Sequence, residues 1–178
     1  MANLKQTDSF RTDIDWHNSS QPELPASIIS SSVDETILLG QKTANLLKMG
    51  SIVGLKGFLG SGKTCFIKGI AAGLGIKERI TSPTYTIVSE YRGIIDKTTP
   101  VSVYHIDAYR LGNNQDFLDI GGDEIVFGNA ISLVEWCEHI PFFIPAGSFL
   151  VEIAIMEDEK RHIKIYKTQD PVLKDDKN

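Results

Sequence analysis

The sequence predicts a single α/β domain, and three observations carry that expectation. The chain is 178 residues long, enough for one buried core and about the length of one domain. A short β-branched run, Ser51-Ile-Val-Gly-Leu55, leads into a glycine-rich turn and then a segment of helical character from Lys63 to about Leu74. That succession is the front half of a βαβ unit, which places strands parallel in one sheet. Further apolar runs of strand length follow at intervals to the end of the chain.

Taken in order, residues 1–30 are polar and rich in Ser, Asp, Pro and Gln, and read as a flexible N-terminal extension, with Ile28 and Ile29 able to begin an edge strand. The domain proper is expected over 31–168. It opens at Ser32-Val-Asp-Glu35, where the Ser-x-x-Glu spacing forms a capping box. Ile37, Leu38, Ala44 and Leu47 continue a helical stripe that stops at Met49-Gly50. After the first strand and its helix, strands are expected near Tyr85–Tyr91, over Val101–Asp107 and over Ile131–Glu135, with helix near Gln115–Phe127. Phe149–Met156 and His162–Tyr166 alternate apolar with polar around the turn Glu157–Arg161, the pattern of a hairpin. Residues 169–178 form a charged tail expected to fray.

With 18 Lys+Arg against 23 Asp+Glu the net charge is −5. A protein that grips a phosphate backbone by itself usually carries a basic excess, so direct nucleic-acid binding is not expected. No apolar run approaches the ~20 residues that span a bilayer, and Met1–Asp13 has no apolar core of a secretory signal. Cys65 and Cys137 are the only cysteines and lie in no metal-binding spacing. A cytoplasmic protein without a disulfide framework or zinc site is expected.

Gly57-Phe-Leu-Gly60-Ser-Gly62-Lys63-Thr64 matches G-x-x-x-x-G-K-[ST] in full. The glycines let successive backbone N–H groups curl round phosphate oxygens at a helix N-terminus. The lysine reaches the β/γ-phosphates and the Thr hydroxyl ligates Mg²⁺. Leu59, Gly60, Ser61, Gly62, Lys63, Thr64 and Cys65 are therefore the candidate nucleotide contacts, with ATP and Mg²⁺ as cofactors. Such a loop needs an acid at the end of a neighbouring strand. Asp107 and Glu135 both qualify, and spacing does not decide which serves the metal and which the attacking water. His105 shares a strand face with Asp107 and is either a relay or a structural histidine. Trp136 either shields the nucleotide or packs in the core. Ser82-Pro-Thr-Tyr-Thr86 is either a loop sensing the γ-phosphate through Thr84 and Thr86 or a plain strand entry. Asp119-Ile-Gly-Gly122 imitates a GTPase D-x-x-G, but no Asn-Lys-x-Asp follows, which favours ATP over GTP.

The phosphate loop together with Leu74-Gly-Ile76, Ser82-Pro-Thr-Tyr-Thr-Ile-Val88, Tyr104-His-Ile-Asp-Ala-Tyr-Arg-Leu111 and Leu133-Val-Glu-Trp136 closely resembles the bacterial TsaE family over about Ser32–Tyr166. The resemblance implies a P-loop NTPase-like fold with a mixed sheet flanked by helices. It also implies a slow ATPase of tRNA threonylcarbamoyladenosine biosynthesis that depends on TsaD and TsaB and resets their complex between turnovers, with tRNA met only indirectly. Carried over by position, it implies that Lys63 grips phosphates, Thr64 and Glu135 serve Mg²⁺, Asp107 supports hydrolysis, and Thr84–Thr86 form a switch-like segment, with Trp136 beside the magnesium acid. Phe58 stands where the family commonly has Asp, Cys65 where it often has Thr, Ala108 where it has Leu, and Cys137 where it has Pro. Two other readings are a P-loop small-molecule kinase and a nucleotide-dependent binding module. The kinase reading is weakened because no Lys or Arg occurs from Leu111 to Leu150 to build an Arg-rich lid.

Overall fold

A computed structural model describes residues 19–83 and 86–170. Seven strands form one mixed sheet: β1 (Ala26–Ser30), β2 (Ile52–Lys56), β3 (Val88–Ile95), β4 (Thr99–Asp107), β5 (Ile131–Glu135), β6 (Phe149–Ile155) and β7 (Arg161–Lys167). Their spatial order is β1-β7-β6-β2-β5-β4-β3. The central four, β6, β2, β5 and β4, run parallel, while β3, β7 and β1 add antiparallel edges. Helices α1 (Val33–Thr43) and α2 (Lys63–Gly73) pack on one face; the short α3 (Asn114–Leu118) and α4 (Gly122–Val126) lie on the other.

The strands are apolar on both sides because the sheet is covered on both sides. Along β2, Val53 and Leu55 join the core under α1 and α2 with Phe66, Ile67 and Ile70, whereas Ile52 joins the opposite core with Phe117 and Phe143. β5 is buried along its whole length, which is what a strand between two parallel neighbours requires.

Several boundaries differ from those the sequence suggests. The extension expected over 1–30 contains β1, which pairs with β7 from Ala26↔Ile165 to Ser30↔Arg161; two isoleucines with small neighbours suffice once an edge is available. Residues 1–18 and 171–178, with most of the expected extension and tail, lie outside the described residues. Ser32 caps α1 as expected, accepting from the Glu35 amide at 3.1 Å, while the Glu35 carboxylate reaches the Ser31 amide at 2.7 Å. That helix gives way at Ala44 to a 3₁₀ turn and ends before Met49-Gly50. The strand expected near Tyr85–Tyr91 is displaced to Val88–Ile95, because Ile87 takes positive φ and only beyond it does pairing with β4 begin. The single helix expected near Gln115–Phe127 is broken by Gly121 in the left-handed conformation. The turn joining β6 to β7 is where the sequence places it.

The helical layer is held at backbone distance. A Cβ on Gly69 would overlap the Ile37 carbonyl oxygen, and one on Gly40 would overlap the Phe66 carbonyl oxygen. Gly69→Ala gains about 1 kcal/mol of helix propensity but forces apart two backbones, an overpacking cost of about 1–3 kcal/mol or more. A net loss of stability is expected, read as a lower urea midpoint; a midpoint at or above that of the unmodified chain would contradict this contact.

Candidate functional site

Three adjacent parallel strands, β2, β5 and β4, end at the same edge of the sheet, the edge where α/β proteins place their ligand crevice. The glycine-rich loop leaves β2 there. In register across β5 and β4, Glu135 is the strand partner of Leu55 on one side and of Asp107 on the other. The register alone therefore brings the two candidate acids and the loop together, from positions 57–64, 107 and 135.

The loop takes a conformation that glycine permits: Gly60 and Gly62 both have positive φ, and Gly62 is the residue from which α2 starts. The first N–H groups of α2 have no partner within the helix, and the positive end of its dipole faces the loop. Lys63 is almost wholly buried. Its ammonium donates to the carbonyl oxygens of Gly57 at 2.6 Å and Phe58 at 3.1 Å, and lies 3.7 Å from the centre of the Trp136 ring. Burial lowers its pKa from the ordinary lysine value of 10.5, opposed by the carboxylates of Glu135, Glu138 and Asp107.

Thr64 Oγ1 donates to Glu135 Oε1 at 2.8 Å, and the same oxygen lies 2.9 Å from His105 Nε2, with both histidine and glutamate buried. His105 is thus neither free core packing nor part of the cavity wall; it orients the acid. Its Nδ1 is buried without a hydrogen-bond partner. Asp107 accepts from the Tyr109 amide at 3.1 Å and from the Ser82 hydroxyl.

With His105 behind it, one cavity of about 400 Å³ is lined by Leu59, Gly60, Gly62, Lys63, Thr64, Cys65, Ser82, Asp107, Tyr109, Glu135 and Trp136. Of the residues singled out from sequence, Ser61 is buried within the loop and lines a neighbouring cavity instead. Thr86 is exposed and does not line the cavity, and Thr84 lies outside the described residues. Trp136 is half-buried, its backbone in the left-handed region, with its ring against Tyr109 at 5.0 Å. Ser82 and Tyr109 are additions that sequence reasoning did not single out. Each lay within a quoted motif, yet nothing in spacing distinguishes them from their neighbours.

Among the described residues no group of three or more His, Cys, Asp or Glu side chains is placed to hold a metal unaided. The residues present, one hydroxyl and one or two carboxylates beside a glycine-rich loop, fit the donor set that Mg²⁺ takes where phosphate oxygens and waters complete its shell. Cys137, one of the four departures noted in the sequence, is buried against Gly54, and burial pushes its thiol pKa up, so it stays protonated packing material. Both described cysteines are free.

A glycine-rich loop at the mouth of a central parallel strand, flanked by acids on the next two strands, defines a P-loop NTPase-like α/β protein. Residues 30–164 match the family described as "Threonylcarbamoyl adenosine biosynthesis protein TsaE", and the chain belongs to that family. The tRNA threonylcarbamoyladenosine biosynthesis protein TsaE of Treponema pallidum (strain Nichols) is 39% identical over 137 residues, which are 77% of this chain and 97% of that protein. The protein of the same name from Bacillus subtilis (strain 168) is 38% identical over 130 residues, 73% of this chain and 78% of that one. The crystal structure of YdiB from Bacillus subtilis superposes with a TM-score of 0.66 at 30% identity, covering 83% of this chain and 89% of that one.

The His105–Glu135 contact gives a direct expectation. His105→Leu removes a buried donor from an acid and is expected to cost about 1–3 kcal/mol. In a double-mutant cycle with Glu135→Leu, most of that cost should vanish, because the acid it serves is gone. Additive losses in urea unfolding would show that the two residues act independently.

Proposed function

We propose that this chain is a magnesium-dependent ATP hydrolase that works with TsaD-like and TsaB-like proteins in threonylcarbamoyladenosine modification of tRNA and resets their complex between turnovers. The observation that carries the reading is the joining of Thr64 to Glu135 at the loop, with Asp107 on the next strand in register. Membership of a family named for this biosynthesis supports the pathway. The net charge of −5 fits a protein that meets tRNA through partners.

In this reading the N–H groups of the loop and of the first turn of α2 bind phosphate oxygens. Lys63 exchanges the Gly57 and Phe58 carbonyls for the β/γ-phosphates, a charge-assisted contact stronger than the one it leaves. Thr64 and Glu135 would hold Mg²⁺, with His105 fixing the carboxylate. The ion, when bound, neutralises charge on the phosphate oxygens. Asp107, held at both carboxylate oxygens by Ser82 and Tyr109, orients the attacking water and accepts its proton. Trp136 and Tyr109 exclude solvent from the terminal-phosphate end. Phe58 and Leu59 stand at the loop tip with 82% and 80% of their surface exposed. Two large apolar side chains beside a site mouth favour a protein partner closing over it, which is consistent with slow turnover by the chain alone. No helix among the described residues is long and apolar enough to cross a membrane.

Lys63→Ala is expected to abolish ATP binding measured by calorimetry. Asp107→Ala should bind ATP within a few-fold of the unmodified chain and lose hydrolysis by about 10²–10⁴-fold in the presence of both partners; normal turnover by that variant would remove the role given to Asp107. In reconstituted tRNA modification, omitting this chain should limit the product to about one modified adenosine per TsaD-like molecule. Many turnovers without it would eliminate the resetting role. A chain that binds ATP yet never hydrolyses it, with or without partners, would instead be a nucleotide-dependent binding module.

A further inference from the structure

A cavity of about 420 Å³ lies at the end of α2 opposite to the glycine-rich loop. It shares no lining residue with the cavity of Glu135 and Asp107, and the 11 residues of α2 set about 16 Å of helix between the two. Its walls are apolar: Ala44 and Leu47 from the turn after α1, Leu74 from the end of α2 and Ile94 from β3, with Asn45 and Lys97 beside them. Ile94 is 46% exposed although its backbone is fixed, its N–H donating to the Leu74 carbonyl at 2.7 Å. An isoleucine at the sheet edge, next to the buried Leu47 and Leu74, leaves an apolar wall open on one side.

The chain upstream of β1 runs to the rim of this cavity. Leu24 packs on the core beneath α1 and α2, and four residues earlier the Ser20 carbonyl accepts from Asn45 Nδ2 at 2.7 Å. Asn45 lines the cavity, so the residues that precede Ser20 start at its edge. Among them the first aromatic side chain is Trp16, with Ile14 two positions beyond. Four residues of extended chain cover about 13–14 Å, a reach longer than a cavity of this volume is wide. Ile14-Asp-Trp16-His alternates apolar with polar, which in extended chain turns Ile14 and Trp16 to one face. An indole is among the largest apolar surfaces that a side chain can bury, about 150–250 Å², and the open wall supplies the cover it needs. A small-molecule ligand would require convergent polar groups to orient it. The lining offers Asn45, whose amide is committed to Ser20, and the Asp96–Lys97 turn at the edge.

We propose that this cavity is the docking site of the chain's own N-terminal segment, with Trp16 inserted against Leu47, Leu74 and Ile94 and the Asn45–Ser20 hydrogen bond as its tether. Docked there, the segment ties the turn after α1 to the end of α2 and to β3, and holds α2 from the end opposite to the loop. The chain contains two tryptophans, Trp16 and Trp136, so Trp136→Phe leaves Trp16 as the single reporter in the full chain. Its emission is expected to lie to the blue of that of a synthetic peptide of residues 1–18, with acrylamide quenching several-fold weaker. Ile94→Arg, at a half-exposed position, puts a charge into the wall and should return both readings to those of the peptide while circular dichroism stays that of the unmodified fold. Should that variant unfold, Asn45→Ala, at an exposed position, removes the tether instead and should raise quenching towards the peptide value. Peptide-like emission and quenching in the Trp136→Phe chain would overturn the proposal. So would protection that persists in folded Ile94→Arg, because Trp16 would then be covered elsewhere. Protection that disappears on dilution together with a dimer mass would place the segment in a second copy and overturn docking within the chain.

Discussion

One carboxylate oxygen, Glu135 Oε1, is shared by the hydroxyl of Thr64 and the imidazole of His105. It ties the start of α2, the end of β5 and the interior of β4 into one arrangement, and the site is organised about it. A charged group at this depth is tolerated only where hydrogen bonds replace lost water. Two donors converge on it, and both sit on rigid elements. The loop is thereby fixed at its C-terminal end through Thr64, while Arg161 holds its middle through the Gly60 and Ser61 carbonyls. A glycine-rich turn that would otherwise lose much conformational freedom on folding is held from two sides.

The rest of the fold makes that geometry possible. Parallel pairing of β2, β5 and β4 brings three chain segments to one edge with their ends in register. Cores on both faces keep the sheet from sliding: α1 and α2 on one side, aromatic residues from 117 to 143 on the other. The α1–α2 contact through Gly40 and Gly69 sets how closely the two helices lie beside each other on that face. It also brings the first turn of α1 beside the loop, where Val33 and Thr36 meet Gly60 and Gly62 around one cavity. Close helix packing and the shape of that cavity are in this way linked.

Much of this was legible in the residues because local patterns carried it. β2, β5 and α2 fall within a residue or so of where apolar runs and the glycine turn place them, since a buried strand and a capped helix each have a local signature. The edge strands were less legible. β1 is two isoleucines among small residues and exists because β7 offers it an edge; β3 begins only where pairing with β4 starts. Such segments take their conformation from a partner, and a partner is not local information.

By itself the sequence determined the chemistry available: a lysine and a threonine behind a glycine loop, two acids ending apolar strands, and a family whose motifs occur here in order. Only the tertiary structure decided how these groups are arranged. It made His105 the partner of Glu135 across thirty positions of chain, set Ser82 on Asp107, left Thr86 outside the cavity, and brought Arg161 from the far hairpin to the loop. The physical reason is that a side chain's type is written at its own position, while its partners are fixed by strand order and register, which depend on every element packing at once.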